Sequence, residues 1–218
     1  MFGDEPRIIK DESRTIKDVV TAPIHWRAHE WTRFGEGVAL VLAVRAADHD
    51  ILDAIQRNRH DSFAKAVTPL GGGRGEQITF AMIAGGWLAH DDHLRNSGID
   101  ALEASVISSM VTKIGKKAFR RERPNGSDNQ SFPSGHATNA FAIATAISSD
   151  YGDQHPSVPI IAYTLATSVA FARVNDKVHF PADVVAGALI GRAVAKGVTL
   201  ARVAVMPVKR GFVMRMSF

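Results

Sequence analysis

From residue 31 to about residue 202, apolar side chains recur at helical spacing, broken only by short stretches of Gly, Pro, Asn and Asp. Alternating runs of β-branched residues are nearly absent from this span. A chain patterned this way hides its apolar stripes by packing helix on helix, so the expected fold is an all-α, single-domain bundle of about six to seven helices. Helices are expected over 31–46, 51–59, 76–89, 99–119, 136–149, 158–174 and from 181 to about 202. Asp48 or Asp50 can cap the helix that holds Ile51, Pro156 and Pro159 open the next-to-last helix, and Pro181 suits a first turn.

A length of 218 residues with 45% apolar side chains suffices for one core, and no repeat, low-complexity tract or linker divides the chain. The expected organisation is an N-terminal extension over 1–30, partly ordered, a helical domain over 31–202, and a C-terminal hairpin over 203–218 packed on the same domain. That hairpin is suggested by Val203, Val205 and Val208, then Lys209-Arg210-Gly211, then Phe212, Met214, Met216 and Phe218 in alternation. The longest apolar stretches, 77–90 and 158–172, fall short of the roughly 20 residues a membrane span needs and are rich in Ala, Gly and Thr. Both are expected as buried core helices.

Without cysteine the chain has no disulfide, thiolate metal site or cysteine nucleophile. A net charge of +4 favours anionic partners: nucleic acid, lipid headgroups or a phosphorylated small molecule. The charged start, through Asp18, lacks the apolar core of a secretory signal. Either the protein is cytoplasmic or a signal has been removed from this sequence.

Three segments carry chemistry. Lys116 is followed six residues later by Arg123-Pro124, which places a lysine near a helix end and an arginine in the loop beyond it. Phe132-Pro133-Ser134-Gly135-His136 precedes a strongly apolar helix, whose first N–H groups and serine hydroxyl can cradle an anion. In the third segment Arg173 precedes His179, and Asp183 follows four residues later at a helix opened by Pro181. That spacing can bring imidazole and carboxylate together, with Asp183 bonded to Nδ1–H of His179 and Nε2 left bare to attack. Each segment alone has a plain structural explanation as helix-end charge, N-cap or first-turn polar residue.

Lys-x6-Arg-Pro, Pro-Ser-Gly-His and Arg-x5-His-x3-Asp, in this order, resemble the signature of the type-2 phosphatidic acid phosphatase superfamily. That superfamily includes bacterial acid phosphatases and vanadate haloperoxidases. The motifs cover about a third of the chain. The resemblance implies a phosphatase that acts on phosphate monoesters without a metal or other cofactor. It implies His179 as nucleophile forming a phosphohistidine, His136 as proton shuttle and Asp183 as orienting group. Lys116, Arg123, Ser134, Gly135 and Arg173 would bind the phosphate. A serine commonly precedes the arginine of the third motif, where this chain has Ala172, so any hydrogen bond from that hydroxyl is absent.

The substrate is expected to be a phosphorylated lipid first, with soluble monoesters next, read by the loops near Gly71 to Gly75 and Asn125 to Gln130. The same pocket in haloperoxidases holds vanadate, so vanadate-dependent halide oxidation is the alternative enzyme reading; under the phosphatase reading vanadate is an inhibitor. A reading of another class is a nucleic-acid-binding helical domain with Lys113, Lys116, Lys117, Arg120, Arg121 and Arg123 as a basic stripe. It ranks last, since it gives no reason for His136, His179 and Asp183, and no nucleic-acid partner is expected. His90-Asp91-Asp92-His93 is expected as a solvated turn rather than a metal cluster, and His25, Trp26, His29 and Trp31 as a patch that packs on the bundle or touches a membrane surface. The expected location is a bacterial cell envelope, on the periplasmic side, with a cytoplasmic location open.

Overall fold

The computed structural model describes residues 27–205, and side chains through residue 200. Among them are eight α-helices: α1 (Ala28–Ala46), α2 (Asp48–Arg57), α3 (Asp61–Val67), α4 (Gly73–Ala89), α5 (Asp92–Phe119), α6 (Gly135–Tyr151), α7 (Ser157–Asn175) and α8 (Pro181–Val205). A 3₁₀ turn, Thr68–Gly71, joins α3 to α4. The expected all-α fold is the one observed, with no strand among the described residues.

Helix α6 is the axis of the bundle, packing on α5, α7 and α8, while α4 lies on α5 and α1 on α8. Short connections after α4, α6 and α7, and the longer 120–134 loop after α5, reverse the chain so that successive long helices run antiparallel. One end of the bundle therefore collects the starts of α4, α6 and α8 with the ends of α5 and α7, and α2 also packs there against α7 and α8.

Two elements depart from the pattern reading. Helix α5 begins at Asp92, two turns before the expected 99, because its first buried residues are Ser97, Gly98 and Asp100 rather than apolar ones. Its start is set by Asp91, whose carboxylate accepts from the Leu94 N–H at 2.9 Å, just after His90 has closed α4 in the left-handed region at φ 54°. Helix α3 and the 3₁₀ turn escaped the pattern, being too short to display an apolar period. Asp48 does not cap α2: the helix starts at Asp48 itself, and its carboxylate turns inward, 1% exposed.

The core is built from small side chains, among them Ala101, Ala104, Ala137, Ala140, Ala142, Ala146 and Ala195. Small residues let backbones approach closely, and α6 and α8 do so at two glycines. A Cβ at Gly187 would lie 2.7 Å from the Ser134 carbonyl oxygen, and one at Gly191 would lie 2.2 Å from that of Thr138.

With small residues inside, large apolar ones are left outside, and this corrects the expectation of two buried core helices. On α4, Ile78, Phe80, Trp87 and Leu88 are exposed, Leu88 by 85%; on α7, Ile160, Ile161 and Leu165 are exposed, Ile160 by 69%. Helix α7 runs from Ser157 to Asn175, long and apolar enough to cross a membrane, with 28% of its most apolar stretch buried. The expected extents change too. Residues 28–30 of the N-terminal extension belong to α1, and residues 203–205 of the expected hairpin continue α8. The rest of the hairpin, like His25 and Trp26, lies outside the described residues.

Gly191→Ala should lower the thermal unfolding midpoint by several degrees, because overpacking a tight contact costs about 1–3 kcal/mol. Gly73→Ala, where a Cβ would meet nothing within 4 Å, should leave the midpoint close to that of the parent in the same scan.

Candidate active site

Every residue named by the three segments sits at one end of the bundle. Helix α5 stops at Phe119, with Arg120 left-handed at φ 45°, and Lys116 in its last turn donates Nζ–H to the Gln130 carbonyl. The loop that follows is stapled by its own bonds. Ser131 N–H donates to the Arg121 carbonyl at 2.9 Å, Arg123 N–H donates to the Asp128 carbonyl at 2.9 Å, and Gly126, at φ 70°, closes the turn onto the Arg123 carbonyl. The Arg123 guanidinium is held from two sides, by Asp128 Oδ1 at 2.8 Å and by the Val178 carbonyl at 3.3 Å.

Ser134 is the buried N-cap of α6, accepting from the Ala137 N–H at 3.4 Å, which leaves its hydroxyl hydrogen available. Its own N–H donates to the Asp183 carbonyl at 3.0 Å, fastening the start of α6 to the start of α8. The N–H groups of Gly135 and His136, in the first turn, have no partner among the described residues. His136 faces the glycine turn ahead of α4: a Cβ at Gly72 would lie 3.4 Å from its Nε2. Both loops expected to read the substrate thus border the site, one beside His136 and the other through Gln130 on Lys116.

Arg173 lies in the last turn of α7, 3.7 Å from Asp176, and its Nε is buried with no hydrogen-bond acceptor among the described residues. An orphaned guanidinium donor among cations is a position that an anion satisfies. Its carbonyl accepts from the Val178 and His179 N–H groups at 3.2 and 3.3 Å, which ties His179 to the end of α7.

His179 is 2% exposed, and its Nδ1 lies 2.6 Å from the Ser131 carbonyl oxygen. A carbonyl only accepts, so Nδ1 carries the hydrogen and Nε2 presents a lone pair. The direct bond expected from Asp183 is replaced here: its Oδ2 is 3.8 Å from Nδ1 because it already accepts from Ser131 Oγ at 2.5 Å and from the Phe180 N–H at 2.8 Å. Ser131 therefore serves both partners, one through its carbonyl and the other through its hydroxyl. Asp183 Oδ1 accepts from Arg121 at 2.6 Å.

Burial pushes the His179 imidazole toward neutrality; Asp183 opposes this, and the charges of Lys116 and Arg123 reinforce it. Burial and the charges of Arg173, His179, Arg123 and Lys116 bring His136 down to about 4, and burial with the Arg123 charge brings Lys116 down to about 8. Asp183 is pushed up by burial, but its hydrogen bonds and the Arg121 charge outweigh that and hold it below the usual range. Two neutral histidines thus face a crowded cluster of cations.

Of the basic stripe, Lys113, Lys117 and Arg120 are exposed, whereas Lys116, Arg121 and Arg123 turn toward the site. His90 to His93 are exposed around the α4–α5 turn, and no group of three or more metal-ligating side chains occurs among the described residues. Ser131, Arg121 and Asp48 were not anticipated as partners of the site. Only Arg121 and Ser131 lie near a motif, and nothing in the sequence around Asp48 points to residue 183.

Comparison with known proteins shows what the chain resembles. A segment of 92 residues, 42% of this chain, is 38% identical to a lipid A 1-phosphatase of Porphyromonas gingivalis, of which it spans 20%. The fold is similar to the crystal structure of Aquifex aeolicus LpxE, with TM-score 0.58 and 24% identity over 70% of this chain and 94% of that one. It is also similar to a transmembrane PAP2-type phosphatidylglycerolphosphate phosphatase from Bacillus subtilis, with TM-score 0.66 and 22% identity over 92% of this chain and all of that one. Residues 98–206, half of the chain and all three motifs, match the PAP2 superfamily, and the chain belongs to it.

Proposed function

We propose that the protein is a phosphatase that hydrolyses phosphate monoesters through a phosphohistidine on His179, without a metal ion. The observation that carries this reading is the pairing of a buried imidazole, fixed with Nε2 bare, and a cation cluster whose Arg173 Nε lacks an acceptor among the described residues. Lys116, Arg123 and Arg173 neutralise the phosphoryl oxygens, while Ser134 Oγ–H and the N–H groups of Gly135 and His136 bond to them. Phosphoryl transfer needs this positioning and charge stabilisation more than covalent assistance. Nε2 forms a bond to phosphorus as the ester oxygen leaves, and His136 gives that oxygen a proton. His136 is neutral in the free enzyme, and the phosphate dianion reverses the local charge, so the proton is taken up as substrate binds. His136 then removes a proton from the water that cleaves the P–N bond. Orthovanadate, which imitates five-coordinate phosphorus, competes for this site.

The favoured leaving group is a lipid. Ile114 and Phe119 on α5, Ile78 and Phe80 on α4, and Ile51 on α2 are exposed on the helices that end or begin at the site. Exposed apolar surface on this scale is unusual for a soluble monomer and matches a lipid-facing protein. The Porphyromonas gingivalis relative and the Bacillus subtilis neighbour are named for lipid-borne phosphates, which supports phosphatidic acid or a lipid pyrophosphate over soluble monoesters. It also supports a place in the bacterial envelope.

His179→Ala should abolish release of phosphate from phosphatidic acid and p-nitrophenyl phosphate alike, measured with chelator present; turnover like that of the parent protein would sink the assignment. His136→Ala should slow alkyl phosphates far more than p-nitrophenyl phosphate, whose leaving group needs no proton. Lys116 is charged below about pH 8 and neutral above it in the free enzyme, so the fall of kcat/KM with pH that the proton uptake by His136 imposes should steepen through that value. Lys116→Arg, charged throughout, should lose this steepening; a steepening that persists would assign it to another group.

A further inference from the structure

Both arms of the Arg121 guanidinium are taken by carboxylates. One arm, Nη1, meets Asp183 Oδ1 at 2.6 Å, and the other, Nη2, meets Asp48 Oδ2 at 2.6 Å. Asp48 Oδ1 accepts from the Ala182 N–H at 2.8 Å, and the guanidinium lies over the Phe180 ring, 4.0 Å from its centroid. Asp48 and Asp183 are almost wholly buried, and Arg121 is 14% exposed. Asp48 comes from α2, outside the segment that matches the superfamily.

Two buried carboxylates on one guanidinium give a unit of net charge −1. Were Asp183 and Arg121 alone, the pair would be neutral, and the imidazole would face only the cations Lys116, Arg123 and Arg173 with neutral His136. When Nε2 takes a phosphoryl group the ring becomes cationic, and a net negative unit behind it stabilises that charge. Burying a second carboxylate is costly unless it is paired, and Asp48 is held by Arg121 and the Ala182 N–H.

We infer that Asp48 is a positioning residue for His179, acting through Arg121 to keep the Asp183 unit negatively charged behind the imidazole. The inference rests on the reading of His179 as nucleophile. The groups that face His179 are Lys116 from α5, Arg121 and Arg123 from the loop, His136 from α6, Arg173 from α7, Asp183 from α8, and Asp48 through Arg121 from α2.

Asp48→Asn keeps the shape and an acceptor for Ala182 but removes the charge. It should lower kcat roughly tenfold or more with little change in KM, and move the acid limb of kcat/KM about one unit lower, as the imidazole becomes harder to protonate. The double variant Asp48→Asn/Arg121→Gln restores a net charge of −1 and should recover activity and the acid limb relative to Asp48→Asn. A lower unfolding midpoint with unchanged kcat and acid limb, or a double variant no better than the single one, would overturn the inference. If Asp48→Asn does not fold, a double variant that folds and keeps near-parental kcat supports it, and one that folds without activity overturns it. His179→Ala measured alongside separates the two levels: an active His179→Ala defeats the nucleophile reading itself, whereas an inactive one with indifferent Asp48→Asn defeats only the role of Asp48.

Discussion

The close approach of α6 and α8 sets the geometry of everything at the reactive end. Gly187 and Gly191 let α8 lie against the backbone of Ser134 and Thr138, and the Ser134 N–H then bonds to the Asp183 carbonyl. The N-terminus of α6, with two N–H groups unpartnered among the described residues, is thereby locked beside the N-terminus of α8, which carries the carboxylate. The price of this proximity is a core of alanine and glycine that leaves many large apolar side chains on the outside. An apolar outer surface and a tightly organised polar site follow from the same packing.

Electrostatics then divide the site into two sides. Lys116, Arg123 and Arg173 crowd one side, pressing His136 and Lys116 toward their neutral forms in the absence of an anion. On the other side Asp183, Arg121 and Asp48 form a buried network, joined to His179 through Ser131. A phosphate ester entering between them would relieve the repulsion among the cations and leave a neutral imidazole aimed at phosphorus. This is electrostatic preorganisation: the charges are placed by the fold before the substrate arrives.

The all-α class was legible because the apolar period is helical over most of the chain, and the cluster at the end of the bundle was legible because three short motifs carry its candidate residues in order. What the sequence hid was determined by contacts between distant segments. Asp48 reads locally as a helix cap, and only the fold shows its carboxylate bonded to residues 121 and 182. Ser131 is an unremarkable loop serine until its carbonyl is found on His179 Nδ1. The apolar stretches 77–90 and 158–172 are alike in composition to core helices. Their outward faces become apparent only when α6, rather than either of them, is found at the axis.

The stereochemical course at phosphorus tests the nucleophilic role of His179 most directly. Each in-line displacement inverts the phosphorus centre, so attack by His179 followed by attack on the phosphohistidine gives net retention. With an isotopically chiral phosphate monoester and an alcohol as acceptor, retention is the expected result. Net inversion would mean that the acceptor attacks the substrate directly and that His179 is not the nucleophile.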